Sequence, residues 1–330
     1  MATYNSVISR TDAAALIPEQ VSNEIMDQVT ESSAVMKLGR RLQDMSRGTQ
    51  RMPVMSALAT AYFVNGDTGL KQTSEVNWTN KYVTAEELAV IVPIPEAVLA
   101  DAAYDVWGQI RPSLVEAFGK AIDAAVLYGT NIPANWTTDL GAAGIVAGAT
   151  SASHTISAAS YGDLYEAILG ETSGGTSGLF GLVEDDGYGV TGSIAPMLMH
   201  RKLRNVREKV YNGTSLVNMG PSVFQPSMQA VGEYTLHGAP IEFPKNGAIT
   251  TTNWLISGQW NQLVYSMRQD ISYKVLDQAV IQDGAGNIVY NLAQQDMVAL
   301  RAVMRLGFAL PHPVTRLDSG TGYPFAVLTA

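Results

Sequence analysis

The chain has 330 residues, no cysteine and a formal net charge of −9. These values exclude disulfide cross-links and thiolate metal sites, and the negative field repels the phosphates that a nucleic-acid-binding protein must grip. Hydrophobic residues make up 46% and charged residues only 15%, below the share of about one quarter in globular domains, so much of the surface must be weakly charged or covered by partners.

The first 48 residues are predicted to form an arm and a short helix. Val21, Ile25 and Val29 recur every four residues behind Pro18, which predicts an amphipathic helix from Ile17 to Glu31. The residues before it lack a charged leader followed by a long apolar run, so we expect no membrane-targeting segment there. No apolar run elsewhere in the sequence is long enough to span a bilayer.

Residues 49–84 change to a strand pattern. Val76, Trp78 and Tyr82 keep a period of two after a polar tip at Asn65 to Gln72, which predicts a long hairpin. Two strands of about 15 residues each would reach about 50 Å, and an isolated two-stranded ribbon is marginally stable in water. The ribbon therefore needs a surface to lie on, which either the chain's own core or an adjacent subunit supplies.

Residues 85–130 carry the strongest periodic signal. An apolar strand from Leu88 to Ile94 runs into a helical pattern from Val106 to Tyr128, about 35 Å long at 1.5 Å per residue, which we call the spine. Pro112 either kinks the spine or begins its longer half, and Gly129 ends it. The apolar stripe of the spine consists of Trp107, Ile110, Leu114, Phe118, Ala121, Ala125 and Tyr128.

Residues 131–290 hold weaker signals. Asn131 to Ser160 and the glycine-rich Gly170 to Gly192 are predicted to be loops, with a short helix at Tyr161 to Leu169 between them. Ile194 to Met199 is predicted to be a buried strand and His200 to Tyr211 a surface helix. Further short strands are predicted at Tyr234 to Phe243, Trp254 to Ser257, Leu263 to Arg268, Ser272 to Leu276, Val280 to Gln282 and Ile288 to Tyr290, with a turn at Asp283 to Asn287.

Residues 291–330 return as strands. From Met297 to Phe308 apolar residues alternate with Arg301 and Arg305, which predicts a strand with two arginines on its other face. The closing segment from Tyr323 to Ala330 is another apolar strand, and both strands are expected to pair near the spine. The sequence as a whole predicts an α+β fold.

No cluster of reactive residues indicates a catalytic, cofactor or metal site. Gly187 to Gly192 matches GxGxxG, but an apolar strand follows it where a dinucleotide site needs a helix, so we predict a loop. Asp185 and Asp186 lack the converging oxygens of a cation site and are expected to be solvated. The histidines form no zinc-binding pair and are expected in surface or loop positions; they are His154, His200, His237 and His312.

Several segments, taken in their order along the chain, resemble one protein family. They are LIPE at the N-terminal helix, the strand ELAVIVPIPE, the spine ending AIDAAVLYG, and then SIAPMLMHRKLRNVR, LHGAPI and QQDMVALRAVMRLGFAL. This order resembles the major capsid proteins of tailed phages, which share the Hong Kong 97 capsid fold. The resemblance implies an N-terminal arm at residues 1–48, an extended β-hairpin loop at 49–84, a peripheral domain with the spine helix at 85–130 and 291–330, and an axial domain at 131–290.

The resemblance also implies a function. A major capsid protein of this kind assembles into the hexamers and pentamers of an icosahedral virion capsid around double-stranded DNA, with no catalytic residue, cofactor or membrane. Assembly is expected in the host cytoplasm with a portal protein and a decoration protein or scaffold. Because the family motifs begin at Ile17, the scaffold is expected to be separate or a removed prepeptide. The alternatives are an encapsulin-type compartment with the same fold, or a soluble enzyme with residues 170–192 as a lid.

In that family the extended hairpin overlaps the next subunit, so the candidate interface residues lie on the hairpin and on the basic cluster before it. The basic cluster consists of four arginines between residues 40 and 51. These arginines either flank a strand as solvated charges, face packaged DNA, or pair with Asp67 or Glu75 of a neighbouring hairpin. The last is favoured, at about 0–1 kcal/mol per exposed pair. The candidates are Arg40, Arg41, Arg47, Arg51, Phe63, Asp67, Lys71, Glu75, Trp78 and Tyr82.

Some family members join a hairpin lysine to an asparagine of the neighbouring spine domain, with a nearby carboxylate assisting. Lys71 supplies the lysine here, but no asparagine follows Asn291, and Asp296 and Asp318 are the only side-chain carboxyl groups after it. A carboxylate must be protonated and lose water where an amide expels ammonia, so it is the poorer electrophile. The sequence therefore predicts a shell held together without covalent links.

Overall fold

A computed structural model of the chain describes residues 32–64, 69–101, 106–140, 143–170, 177–211, 216–226, 234–317 and 322–330. The arm and amphipathic helix predicted before Ser32 lie outside the described residues, as do residues 65–68 of the predicted hairpin tip and Asp318. Helices and strands are both abundant in the described part, and two hydrophobic cores hold them together. The predicted α+β class is confirmed.

The elements follow one another in a mixed order. The helices are α1 Ala34–Leu38, α2 Glu96–Asp101, α3 Val106–Tyr128, α4 Thr137–Leu140, α5 Gly144–Ser151, α6 Leu164–Leu169, α7 Leu179–Asp185 and α8 Met197–Leu203. The first nine strands are β1 Arg40–Arg41, β2 Thr49–Ala57, β3 Asn77–Thr84, β4 Glu86–Pro95, β5 Thr155–Ser157, β6 Gly192–Ile194, β7 Arg207–Tyr211, β8 Leu216–Ser222 and β9 Phe224–Pro226. The remaining strands are β10 Tyr234–Leu236, β11 Ala239–Glu242, β12 Asn253–Gly258, β13 Val264–Leu276, β14 Val280–Gln282, β15 Ile288–Asn291, β16 Met297–Ala309 and β17 Phe325–Thr329.

The spine is the helix α3, with the bounds that its period predicts. Pro112 lies inside this helix, so it does not begin a separate one. Phe118 is only 2% exposed and packs in the first core. Gly129 adopts a φ of 67°, and this left-handed turn lets the N–H groups of Gly129 and Thr130 reach back to carbonyls of the last helical turns. The predicted spine and its glycine stop are confirmed.

A four-stranded sheet packs on α3, in the order β1-β13-β16-β4. Along β16 the side chains of Met304, Leu306 and Phe308 are buried in the core, whereas Arg301 is exposed and Arg305 is half-exposed on the outer face. This confirms the alternation that the sequence predicts for this strand. The two segments predicted around residues 263–276 form one strand, β13, whose register against β16 shifts near Gln269.

A seven-stranded sheet, in the order β5-β17-β12-β6-β11-β10-β9, joins the two cores. Strand β17 carries Phe325 and Val327 into the core around the spine, and Ala326 and Leu328 into the second core. Both faces of β17 are buried, so water cannot reach its backbone N–H and C=O groups. These groups therefore need partners on both edges of the strand, and β12 and β5 supply them. The prediction that the closing strand returns near the spine is confirmed, and its ladder partners, which the sequence did not name, are β12 and β5.

These ladders cross the domain boundaries that the resemblance implies. Strand β13, from the segment assigned to the axial domain, pairs with β16, and β17, from the segment assigned to the peripheral domain, pairs with β12. The division itself stays a prediction. The described residues contain two large cores, one around α3 and one around α7 and α8, and a small third cluster at the base of the hairpin.

Four local predictions are wrong. The loop predicted at residues 131–160 contains α4 and α5, and the loop predicted at 170–192 contains α7. The strand predicted from Ile194 to Met199 stops at Ile194 and gives way to α8, and the helix predicted to Tyr211 becomes β7. Helix α5 was missed because it is built of small residues and buried against its neighbours, so it shows no amphipathic period: a Cβ at Gly148 would lie 2.3 Å from the Tyr323 hydroxyl.

Candidate assembly interface

The hairpin of β2 and β3 is fixed to the body of the protein at its base. Val83 is fully buried against Met45, Val264 and Ala309. The backbone of the base also approaches β16 closely, because a Cβ at Gly307 would lie 2.5 Å from the Thr84 carbonyl oxygen. The hairpin therefore leaves the protein in a defined direction.

Beyond its ladder the hairpin continues as an irregular but paired loop. The ladder runs from Thr49 opposite Thr84 to Ala57 opposite Asn77, so the strands are shorter than predicted. Farther out, the Thr60 N–H donates to the Ser74 hydroxyl at 2.7 Å, and the Tyr62 hydroxyl donates to the Gln72 carbonyl at 2.8 Å. These bonds hold the two sides of the loop together without a regular ladder.

Exposed apolar side chains gather on this hairpin. Phe63 is completely exposed and Leu70 is 89% exposed, while Trp78 is 63% exposed and lies opposite Met55 in the ladder. Many large apolar side chains left exposed on one segment are typical of a site that another protein covers. The exposed set consists of Met55, Tyr62, Phe63, Val64, Leu70, Trp78 and Tyr82.

The structure places the predicted interface residues as follows. Phe63, Lys71, Glu75, Trp78 and Tyr82 are all exposed on the hairpin. Tyr82 lies directly opposite Arg51 on the exposed side of the ladder. The position of Asp67 lies outside the described residues. Whether these side chains contact another copy stays a prediction.

The arginine cluster is dispersed rather than gathered. Arg40 and Arg41 form β1, which pairs in parallel with the start of β13, and both are exposed. Arg41 makes an ion pair with Asp44 at 3.0 Å, and this exposed pair contributes about 0–1 kcal/mol. Arg47 and Arg51 are exposed and make no ion pair with any residue of the described ranges. Their pairing with a neighbouring hairpin stays a prediction.

A buried carboxylate that the sequence analysis missed fixes the segment leading to the N-terminal arm. Asp123 on the spine accepts hydrogen bonds from the Ser33 hydroxyl at 2.7 Å and from the backbone N–H groups of Ala34 and Val35. The Asn246 amide donates a fourth at 2.7 Å. Burial raises the pKa of Asp123, and the hydrogen bonds oppose that rise. The signal was present: this aspartate interrupts the buried apolar stripe after Ile122.

The acidic pair next to GxGxxG is not simply solvated. The Asp186 carboxylate lies 3.1 Å from His154 Nε2 and accepts the Tyr323 N–H at 2.8 Å, so the prediction for Asp186 is wrong. Asp185 is exposed and accepts the Ser177 hydroxyl. Strand β6 follows the glycine motif, so the loop prediction there is confirmed. Among the described residues no cluster of three metal-ligating side chains occurs.

Two histidines are more buried than predicted. His154 and His200 are each 7% exposed; His154 lies in the loop between α5 and β5, one of the predicted settings, whereas His200 is buried on α8, so the surface or loop prediction is wrong for His200. The His200 ring packs edge-on against Phe224, Tyr234 and Phe243, and burial lowers its pKa. The sequence could not reveal this, since the aromatic rings come from two separate strands and a loop. His237, in contrast, is exposed in the turn between β10 and β11.

The hairpin, the spine and the sheet behind it match known proteins. A model of the phage capsid family matches residues 13–314. The chain belongs to the phage capsid family. Over 297 residues it is 25% identical to the major capsid protein of Staphylococcus phage 80alpha, an alignment that covers 87% of this chain and 79% of that relative. In none of the described helices is there an apolar stretch long enough to cross a membrane.

Solved structures agree with this assignment. The chain superposes on a structure from Microbacterium phage Oxtober96 with a TM-score of 0.72 and 33% sequence identity, covering 98% of this chain and 99% of that one. A structure from Mycobacterium phage Adephagia gives a TM-score of 0.70 at 28% identity, covering 98% of both chains. The predicted capsid fold and the predicted function as a phage major capsid protein are confirmed. The family is one of structural shell proteins.

Proposed function

We propose that copies of this chain form hexamers and pentamers that close into an icosahedral shell around double-stranded DNA, with the hairpin of each copy lying on the next. The observation that carries this proposal is the exposed apolar surface of the hairpin, with Phe63 and Leu70 almost fully exposed. Burying one such side chain contributes roughly 1.5–3 kcal/mol. Covering both in another copy would therefore stabilise a neighbour contact.

The geometry of one hairpin per copy favours closed rings. Each copy would present a hairpin on one side and receive one on the other, which is a head-to-tail contact, and such contacts close into rings when the rotation permits. The defined exit of the hairpin at Val83 supports a repeatable rotation from copy to copy. Many weak contacts of this kind suit a shell that must assemble without being trapped in wrong arrangements.

The remaining finer assignments rest on the family and the charge. A net charge of −9 fits a wall that encloses DNA without gripping it. The two cores support a peripheral domain with the spine and an axial domain. Assembly in the host cytoplasm, a portal protein, and a separate scaffold or decoration protein complete the proposal.

Electron microscopy and size-exclusion chromatography of the purified chain test the proposal. We expect particles of megadalton mass from the wild type, and far fewer from the double variant Phe63→Ser, Leu70→Ser. The matched control is Met219→Ser, because Met219 is 77% exposed but lies in β8, away from the hairpin. Shells that form equally well from the hairpin variant would contradict the role of the hairpin. A wild type that stays monomeric under all assembly conditions would contradict the proposal as a whole.

A further inference from the structure

Two positive charges face each other on the outer side of the four-stranded sheet. Lys274 on β13 lies directly opposite Arg301 on β16, and Arg301 lies directly opposite Ile91 on β4. Lys274 and Arg301 are exposed, and Ile91 is 42% exposed. Neither cation makes an ion pair with any side chain of the described ranges.

This arrangement is unfavourable in an isolated subunit. Like charges directly opposite each other in an antiparallel pair destabilise a sheet, because their Cβ atoms lie only about 4.5–5.5 Å apart. The other arginine of β16 has a counter-charge. Arg305 lies opposite Glu87 on β4, and its Nη2 donates to Glu87 Oε2 at 2.7 Å. The pair of Lys274 and Arg301 therefore lacks the counter-charge that its neighbour on β16 has.

We propose that Lys274 and Arg301 bind the carboxylate of Glu75 from the hairpin of a second copy. This rests on the proposed function, since it names the surface on which the neighbouring hairpin lies. Glu75 is exposed and makes no ion pair with any of the described residues. Leu70 is exposed on the same hairpin, so the segment that carries Glu75 also carries apolar surface that could cover the exposed Ile91.

A carboxylate of a second copy fits this surface better than a phosphate of DNA. The patch consists of two cations that make no ion pair within the described residues, and it is not the extended basic stripe that grips a phosphate backbone. The exposed side chain of Ile91 would gain nothing from a phosphate, whereas an apolar hairpin residue would cover it.

Charge reversal and its rescue test the pairing. In the double variant Lys274→Glu, Arg301→Glu, and separately in Glu75→Lys, we expect the yield of shells to fall about tenfold or more, because each change places like charges together across the contact. Combining all three changes should restore most of the yield. The control Arg201→Glu reverses an exposed cation on α8 and should leave the yield unchanged. Failure of the combination to rescue, or normal yields from both reversals, would overturn the inference.

A disulfide trap gives an independent measurement, since the chain contains no cysteine. Glu75→Cys and Arg301→Cys are introduced on separate copies, which are co-expressed and mildly oxidised. We expect a covalent dimer near twice the monomer mass of 35.3 kDa, and none when Arg201→Cys replaces Arg301→Cys. If the wild type forms shells but the Glu75→Cys and Arg301→Cys copies give no dimer, the inference alone is refuted; if the wild type forms no shells, the proposed function is refuted.

The experiment also detects the DNA alternative. If the reversal of Lys274 and Arg301 leaves empty shells intact but lowers the amount of DNA that filled shells retain, the pair contacts phosphate. That result would overturn the contact with Glu75 while leaving the proposed function in place.

Discussion

The spine and the hairpin both carry aromatic residues, but those of the spine are buried within the subunit and those of the hairpin are exposed. Phe118 on α3 is 2% exposed because the sheet and α1 pack around it within the same chain, whereas Phe63 on the hairpin is completely exposed. The spine therefore stabilises the subunit, whereas the exposed residues of the distal hairpin add nothing to its cores, and we propose that another copy covers them. Apolar content alone does not tell these two roles apart; the position of the covering surface does.

The largest expected effect comes from removing the distal hairpin. Ala57 and Asn77 face each other at the end of the ladder, so residues 58–76 can be replaced by the two-residue turn Asn-Gly. We expect a subunit that still folds, because the removed segment adds no buried side chain to either core, but that forms no shells in electron micrographs. Shells of normal size from this variant would contradict the assignment of the distal hairpin to assembly and of the spine to subunit stability.

Truncating the spine should cost stability rather than assembly contacts. Phe118→Ala should lower the free energy of unfolding by about 3–5 kcal/mol, because it leaves a cavity in a packed core. Urea unfolding of the unassembled subunit measures this, with Phe63→Ala as the control, which should change stability by no more than about 0.5 kcal/mol. Equal losses for the two phenylalanines would mean that the hairpin is part of the subunit core.

A smaller effect is expected at the polar contact between the spine and α1. Asp123→Ala leaves four buried donors without their acceptor, and a loss of about 1–3 kcal/mol follows from the cost of unsatisfied groups. The exposed Asp101 at the end of α2 supplies the control Asp101→Ala, which should be neutral in the same unfolding measurement. A neutral Asp123→Ala would mean that the contact adds no stability.

The contribution of Asp123 to the free energy of unfolding should depend on pH. Burial raises the pKa of Asp123 above its ordinary value of 3.8, so the folded state holds the proton more tightly than the unfolded state. Its contribution to stability is therefore largest below that ordinary value and is lost as pH rises through the raised one. The difference in unfolding free energy between wild type and Asp123→Ala should change in that window, and a difference independent of pH would contradict the shift.

The smallest expected effect is at Lys71. Because no asparagine follows Asn291, we expect shells without covalent links, so denaturing electrophoresis should show one band near 35.3 kDa in both wild type and Lys71→Ala. A ladder of covalent multimers in the wild type that collapses in Lys71→Ala would instead make the hairpin a covalent strap.

The sequence was sufficient where one side of an element is buried and the other is solvated. The period of 3.6 in α3 and the alternation along β16 follow directly from that asymmetry, and both elements have the predicted type and bounds close to the prediction. The hairpin was predictable for the same reason near its base. Its distal part was not, because its side chains face solvent on both sides and no period constrains them.

Elements without a clear hydrophobic period were missed or misassigned. Helix α5 consists of small and β-branched residues packed between α3 and β17, so it carries no amphipathic signal. Helix α7 lies in a glycine-rich stretch, although Leu179, Phe180 and Val183 are all buried. The aromatic surroundings of His200 come from segments far apart in sequence, and a single sequence offers no way to bring them together.

By itself, the sequence determined the α+β class, the spine with its glycine stop, the hairpin and the family, because these depend on local periods and on the order of segments along the chain. Only the tertiary structure decided the partners of β17, the hydrogen bonds of Asp123 and the meeting of Lys274 with Arg301. Those contacts join residues far apart in the chain, and they follow from strand register and long-range packing, which local sequence patterns do not specify.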